Sequence, residues 1–190
     1  MNRVAAAVAL IAIFLCAPRA AVSDEQVWAQ LRSGGLVVFI RHALTDPGVG
    51  DPTGFRIEDC KTQRNLNATG RAEAERLGET LRRHAVPVTQ VLSSEWCRCK
   101  DTAQIAFGRY ETWPALNNLF GRQENAASQR RAMLERAAQF RGAGNLILIS
   151  HGITIAAVVG ISPGTAEMVV MRPAGAGKLD FVGRIPLAAG

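Results

Sequence analysis

Two apolar, β-branched runs in this chain stop at a histidine: Leu36-Val-Val-Phe-Ile-Arg41-His42 and Asn145-Leu-Ile-Leu-Ile-Ser-His151-Gly152. As neighbouring parallel strands they would deliver both imidazoles to the carboxyl edge of one sheet, where open α/β folds bind ligands. A third run, Val88 to Ser94, leads directly into Glu95-Trp-Cys-Arg98-Cys-Lys-Asp-Thr-Ala and adds a cation at the same edge. Two histidines and at least two arginines at one spot suit phosphate. A neutral imidazole is a nucleophile near neutral pH, and guanidinium forks match pairs of phosphate oxygens. Phosphoryl transfer needs these groups and a proton donor for the leaving group. Thr45, Gln63 and Thr154 are further side chains able to hydrogen-bond a phosphate.

Other chemistries fit less well. A cysteine phosphatase places an arginine six positions after its nucleophile, and the corresponding positions here are Leu66, Ala103 and Ile105. The Gly-Ala-Gly-Lys178 tract resembles a nucleotide-binding loop, but position 172 is Arg172, position 179 is Leu179, and the tract runs into a strand pattern instead of a helix. A zinc site from His42, His84 and His151 would need His84 to reach the sheet edge from the opposite end of its helix. His84 instead reads as structural, a cation near a helix C-terminus. Arg64, Arg71, Arg76, Arg82 and Arg83 alternate with acids and read as a solvated face, so no concentrated basic footprint for nucleic acid is expected.

The elements that must position these groups alternate helix and strand from about Asp24. Ser23 or Asp24 caps a short helix ending at Gly34-Gly35, and the strand to His42 follows. Residues 43 to 65, rich in Asp, Gly, Pro and Thr, are long for a connection and read as an active-site loop. Asn67 starts a helix carrying Ala74, Leu77, Leu81 and Ala85 and stopping before Pro87. Strand Val88 to Ser94, helix Trp96 to Phe107, an irregular polar segment Arg109 to Gln123 and helix Glu124 to Phe140 come next. Strand Leu146 to Ser150, a short helix Thr154 to Val159 and a hairpin of strands Glu167 to Arg172 and Lys178 to Ile185 complete the pattern. With 190 residues, 48% hydrophobic and 20% charged, the chain suits one globular domain with a single core.

The first stretch is different. Arg3, the apolar run Val4 to Cys16 and the small-residue site Ala21-Val22-Ser23 have the form of a cleaved secretory signal over residues 1–23, too short in its apolar run for the about 20 residues that span a bilayer. The mature part, 24–190, is then expected in the periplasm or the medium, without stable membrane insertion. The formal charge of +6 falls to +4 there once Arg3 and Arg19 are set aside. Cleavage leaves Cys60, Cys97 and Cys99. In an oxidising compartment one disulfide is expected, from Cys60 to either Cys97 or Cys99.

Phe39-Ile-Arg41-His42-Ala43, Ser93-Ser94-Glu-Trp-Cys-Arg98-Cys-Lys-Asp-Thr102-Ala103 and Ile149-Ser150-His151-Gly152 resemble, in order and spacing, the three signatures of the histidine phosphatase superfamily. The resemblance covers nearly all of the mature chain. It implies the phosphoglycerate-mutase-like fold, a three-layer α/β/α sandwich with a mostly parallel central sheet. Cys60-Lys-Thr-Gln63-Arg64-Asn65-Leu66, His151-Gly-Ile-Thr154-Ile and Pro163-Gly-Thr-Ala-Glu167-Met-Val further resemble exported bacterial members, including lipopolysaccharide heptose phosphatases.

Carried over residue by residue, the resemblance makes His42 the nucleophile that becomes phosphohistidine, Arg41 and Arg98 the phosphate clamps, and His151 the donor to the phosphoryl oxygens, with no metal and no cofactor. Ala43 stands where the family usually has glycine. The family's general acid comes from the variable segment after the second arginine. Glu124 is the first candidate, Glu111 and Glu95 the next, and the alternative is a member without a carboxylate acid that acts on leaving groups of low pKa. The expected activity is hydrolysis of a small phosphorylated substrate, such as an envelope glycolipid or a sugar phosphate. A mutase would need a bisphosphorylated primer, and a phosphoprotein or phosphohistidine substrate conflicts with export. The rival from another class is a non-catalytic phosphate-binding module of the envelope.

Overall fold

The computed structural model describes residues 23–187. The signal segment expected over 1–23 therefore lies outside the described residues, apart from Ser23. That residue caps helix α1 (Asp24–Ser33): its hydroxyl accepts from the Gln26 N–H, and the Gln26 amide oxygen accepts from the Ser23 N–H at 3.0 Å. This reciprocal box satisfies two donors that the first turn leaves unpaired. Among the described residues no helix is long and apolar enough to cross a membrane.

One sheet carries β1 (Val37–Arg41), β2 (Val88–Ser93), β3 (Glu111–Thr112), β4 (Asn145–Ser150), β5 (Met168–Gly175) and β6 (Lys178–Ile185) in the order β3-β2-β4-β1-β5-β6. Strands β3, β2, β4 and β1 run parallel, and β5 pairs antiparallel with β1 and β6. The register sets the edge. Arg41 lies opposite Ser150 and Ser93 opposite Ile149, so the next residues, His42, His151 and Ser94, emerge side by side.

Period-two alternation divides the core into two faces. Val38 and Ile40 of β1 pack with Leu31 of α1, Leu77 of α2 (Ala68–Arg83) and Ala103 of α3 (Cys97–Phe107). Val37 and Phe39 pack on the other side with Met133 of α4 (Ala126–Ala138) and Ile155 of α5 (Gly152–Val159). Every residue of β4 is buried, which is why its run is continuously apolar instead of alternating. The three-layer architecture with a mostly parallel sheet is the expected one.

Several boundaries differ from expectation. The segment read as wholly irregular contains the two-residue strand β3, whose exposed Glu111 and Thr112 carry no apolar signal. Helix α4 begins at Ala126, after a separate 3-10 turn over Gln123–Asn125, and ends at Ala138. Helix α5 starts at Gly152, directly after His151. Strand β5 continues through Pro173, because beyond Met171 it pairs only with β6 and proline there need donate nothing to β1.

The amino ends of the central strands are tied by one buried amide. Asn145 Oδ1 accepts from the Leu36 N–H at 3.1 Å, and its Nδ2 donates to Leu31 O at 2.8 Å and Pro87 O at 2.9 Å. The end of α1 and the approaches to β1 and β2 thus meet on a single side chain. Asn145→Ala leaves the Leu36 N–H unpaired and forfeits the other two bonds. We expect a loss of about 3 kcal/mol in urea unfolding, with the fold retained.

Candidate active site

His42 is fixed by its backbone and its ring. Its N–H donates to Ser150 O at 3.0 Å across the β1–β4 junction. Its Nδ1 lies 2.8 Å from Ala43 O, a carbonyl that can only accept, so Nδ1 carries the proton and the Nε2 lone pair is free. Ala43 is held in turn. Its N–H donates to Thr102 Oγ1 at 3.1 Å, and the Thr102 hydroxyl donates to Arg98 O at 2.7 Å. Ala43 is not among the residues with positive φ, so alanine sits there without strain.

His151 faces His42 edge-on, with ring centroids 5.3 Å apart. Its Nε2 is 3.0 Å from Ser94 Oγ and 3.6 Å from Cys99 Sγ, while its Nδ1 is buried without a partner. The Trp96 ring closes its other side. Arg41, Arg64 and Arg98 join the two imidazoles around a cavity of about 320 Å³, which Asn118 also lines. Arg41 Nη1 donates to Pro163 O at 3.2 Å, and Arg64 Nη1 to Gly48 O at 2.9 Å. The Nε groups of all three arginines are buried and unpartnered.

Burial and the positive neighbours act together on both histidines. Burial, then Arg98, with Arg41 and Arg64 behind it, pushes the His42 pKa down to about 3, against the smaller opposing effect of the Ala43 carbonyl. Burial, His42 and the same arginines hold His151 well below the usual histidine range. Both imidazoles are therefore neutral near neutral pH. Cys99, fully buried, has its thiol pushed up to about 12 and is no nucleophile.

Of the residues expected at the site, the structure brings Arg41, His42, Arg98 and His151 together. It does not bring Glu124. That carboxylate is exposed on the 3-10 turn Gln123–Asn125, accepts only from Asn125 Nδ2 and does not line the cavity. Glu111 is exposed on β3 and accepts from Gln90; Glu95 is held by the Asn117 amide at 2.6 Å. Neither lines the cavity. Thr45 is buried beside its backbone bridge to Leu66, and Thr154 donates to Asn117 O and accepts from the Leu119 N–H, so it straps the segment carrying Asn118. Gln63 Oε1 accepts from the Cys97 N–H at 3.0 Å and caps α3. His84 stacks on Trp28 with centroids 3.8 Å apart, away from the pair. The disulfide joins Cys60 to Cys97 and leaves Cys99 free.

Arg64 was expected on a solvated helix face and instead lines the cavity. The correction was readable: Asn67 accepts from the Gly70 N–H as the cap of α2, which places Arg64 before the helix. Asp51 was also missed. Its carboxylate pairs with Arg98 at 2.6 Å and accepts from Trp96 Nε1 at 2.9 Å and the Arg64 N–H at 3.1 Å. Burial pushes its pKa up, but these bonds outweigh it and hold the carboxyl below its usual value.

Three arginines and two neutral imidazoles lining one cavity at the carboxyl edge of an α/β sheet make a site suited to phosphoryl groups. Residues 37–130 match the model of the histidine phosphatase superfamily (branch 1), and the chain belongs to that superfamily. Its fold is similar to that of the protein histidine phosphatase SixA solved with tungstate, at TM-score 0.56 and 17% identity over 80% of this chain and 96% of that one. SixA from Agrobacterium tumefaciens gives 0.54 and 22% over 80% and 97%. A mutant phosphoserine phosphatase from Entamoeba histolytica, solved with phosphoserine, gives 0.54 and 13% over 78% and 95%. No curated protein sequence matches.

The depressed histidines make stability depend on pH. Below the unfolded value of 6.5 the unfolded chain binds protons that the buried, neutral imidazoles refuse, so stability falls as the pH drops. Between pH 6.5 and about 4, above the carboxylate range, each such group contributes up to about 1.4 kcal/mol per pH unit. Urea unfolding across that window should give a positive slope of stability with pH, and His42→Asn should make the slope shallower. An unchanged slope would mean His42 is not held neutral.

Proposed function

We propose that the protein is an exported phosphomonoesterase acting through a phosphohistidine at His42. The observation that carries this reading is that Arg41, Arg64 and Arg98 line one cavity with His42 and His151, where the Nε of each arginine is left without a partner and the His42 Nε2 lone pair is free. In the first step Nε2 attacks phosphorus, the P–Nε2 bond forms, and the P–O bond to the leaving group breaks. In the second, water attacks phosphorus, the P–Nε2 bond breaks, and inorganic phosphate leaves with neutral His42 restored. The guanidiniums stabilise the charge spread over the equatorial oxygens in both steps.

No carboxylate is among the described residues lining the cavity, and Asp51 beside it is held deprotonated. The leaving group therefore departs with little help and collects its proton from water. Substrates whose leaving group is weakly basic fit best, so phosphoanhydrides and phosphorylated anomeric hydroxyls rank ahead of esters of ordinary alcohols. Export is supported by the form of residues 1–23 and by the Cys60–Cys97 pairing, which suits an oxidising compartment. Phosphorylated envelope glycolipids and sugar phosphates are then the substrates within reach, including the heptose phosphates of lipopolysaccharide. The missing carboxylate also favours the second reading, a phosphate-binding module without turnover.

Rapid acid quench with labelled substrate separates the two. We expect acid-labile label on His42 and its absence in His42→Ala, which should lose at least about a thousandfold in kcat/KM. Binding of phosphate with neither label nor turnover would establish the binding module. Across a series of aryl phosphates, log kcat/KM should fall steeply with leaving-group pKa, and Glu124→Gln should stay within about twofold of wild type. A flat series would reveal a proton donor and refute this account of the leaving group.

A further inference from the structure

Arg98 is gripped before any ligand arrives. Its side chain is 1% exposed, and Asp51, 4% exposed, takes its outer end, with Nη1 donating to Oδ1 at 2.6 Å and Nη2 to Oδ2 at 3.2 Å. The second Nη1 hydrogen goes to Arg64 O at 3.3 Å. A guanidinium has five N–H groups. The two left over are the Nε–H, buried and unpartnered, and the second Nη2–H, which share one edge. That edge is a fork matched to two oxygens of a phosphoryl group.

Asp51 is itself anchored, by the Trp96 indole at 2.9 Å and the Arg64 N–H at 3.1 Å. The residues just before it, Gly48 to Gly50, form a wall of the cavity. Gly50 has φ +73°, which suits glycine, and the Phe120 ring of the opposite segment approaches it closely enough that a Cβ would lie 3.1 Å away. The charges also match. Three guanidiniums with one carboxylate leave two positive charges for a dianionic phosphoryl group.

We propose that Asp51 is the positioning residue of the phosphate clamp. It holds Arg98 by one end so that the Nε/Nη2 edge is the one offered to the phosphoryl group, and it fastens the loop that walls the pocket. The proposal rests on reading the cavity as a phosphate site. It is opposed to a plug, in which Asp51 merely occupies Arg98 and must leave for phosphate to bind. The two differ in the sign of one measurement, because loss of a plug frees a cation whereas loss of a positioning group disorders one.

The test is the affinity for inorganic phosphate by calorimetry, with kcat and KM on p-nitrophenyl phosphate, for wild type, Asp51→Asn, Asp51→Glu, Arg98→Ala and the double variant Asp51→Asn/Arg98→Ala. Positioning predicts that Asp51→Asn binds phosphate about tenfold more weakly despite the added positive charge, with kcat/KM down about a hundredfold. Asp51→Glu should recover part of both, and the double variant should be no worse than Arg98→Ala. Equal or tighter phosphate binding by Asp51→Asn, or a full additive loss in the double variant, overturns the proposal. If Asp51→Asn does not fold, Asp51→Glu decides: weaker phosphate binding supports positioning and unchanged binding overturns it. A wild type that neither binds phosphate nor turns over the ester would instead sink the reading of the site.

Discussion

Three guanidiniums share one small cavity at the sheet edge, and the rest of the site is arranged around that concentration of positive charge. Like charges at such distances repel strongly where water is scarce. The pocket tolerates them in three ways. Both histidines give up their protons, so no further cation is added. Asp51 supplies one negative charge at the end of Arg98 remote from the open fork. The remaining excess stays uncompensated, and an incoming dianion relieves it.

The sheet converts this demand into fixed geometry. Parallel pairing of β1 with β4 and of β4 with β2 aligns the strand ends to within a residue, so His42, His151 and the approach to Arg98 leave the same edge. A chain of short bonds then orients the nucleophile: Arg98 O accepts from Thr102, Thr102 Oγ1 accepts from the Ala43 N–H, and Ala43 O accepts from His42 Nδ1. Arg98 and His42 are mechanically one unit, since the helix that carries Arg98 also fixes the tautomer of His42.

What could be read in the sequence follows from where each residue sits. Arg41, His42, Arg98 and His151 stand at strand ends or a helix start, within contiguous apolar patterns whose register is strongly determined. Arg64, Asp51 and Asn118 come from irregular segments placed by side-chain-to-backbone bonds, by Gln63 capping α3 and by the Cys60–Cys97 link, none of which has a periodic signature. Even there a clue existed, since a cap at Asn67 excludes Arg64 from the helix face to which its alternation with acids assigned it. Glu124 misled for the converse reason. The helix starts two residues later than its pattern suggests, and the 3-10 turn over Gln123–Asn125 that leaves the carboxylate exposed has no trace in hydrophobic pattern.

The hydrogen-bond network also fixes how His151 works. Asn117 Oδ1 accepts from the Glu95 N–H at 3.0 Å and from Ser94 Oγ at 3.2 Å, so the Ser94 proton points to Asn117 and its lone pair faces His151. His151 Nε2 therefore carries the hydrogen, and the buried, unpartnered Nδ1 is bare while the ring is neutral. A bare nitrogen cannot stabilise a phosphoryl oxygen; an imidazolium can. The proton that makes it one is disfavoured by the arginines in the empty pocket and favoured once a dianion neutralises them. On the proposed reading of the site, binding of a dianion and protonation of His151 would promote each other by linkage. His42 differs: burial and the same arginines keep it neutral against the pull of the Ala43 carbonyl, and the Nδ1–H bound to that carbonyl leaves the Nε2 lone pair free.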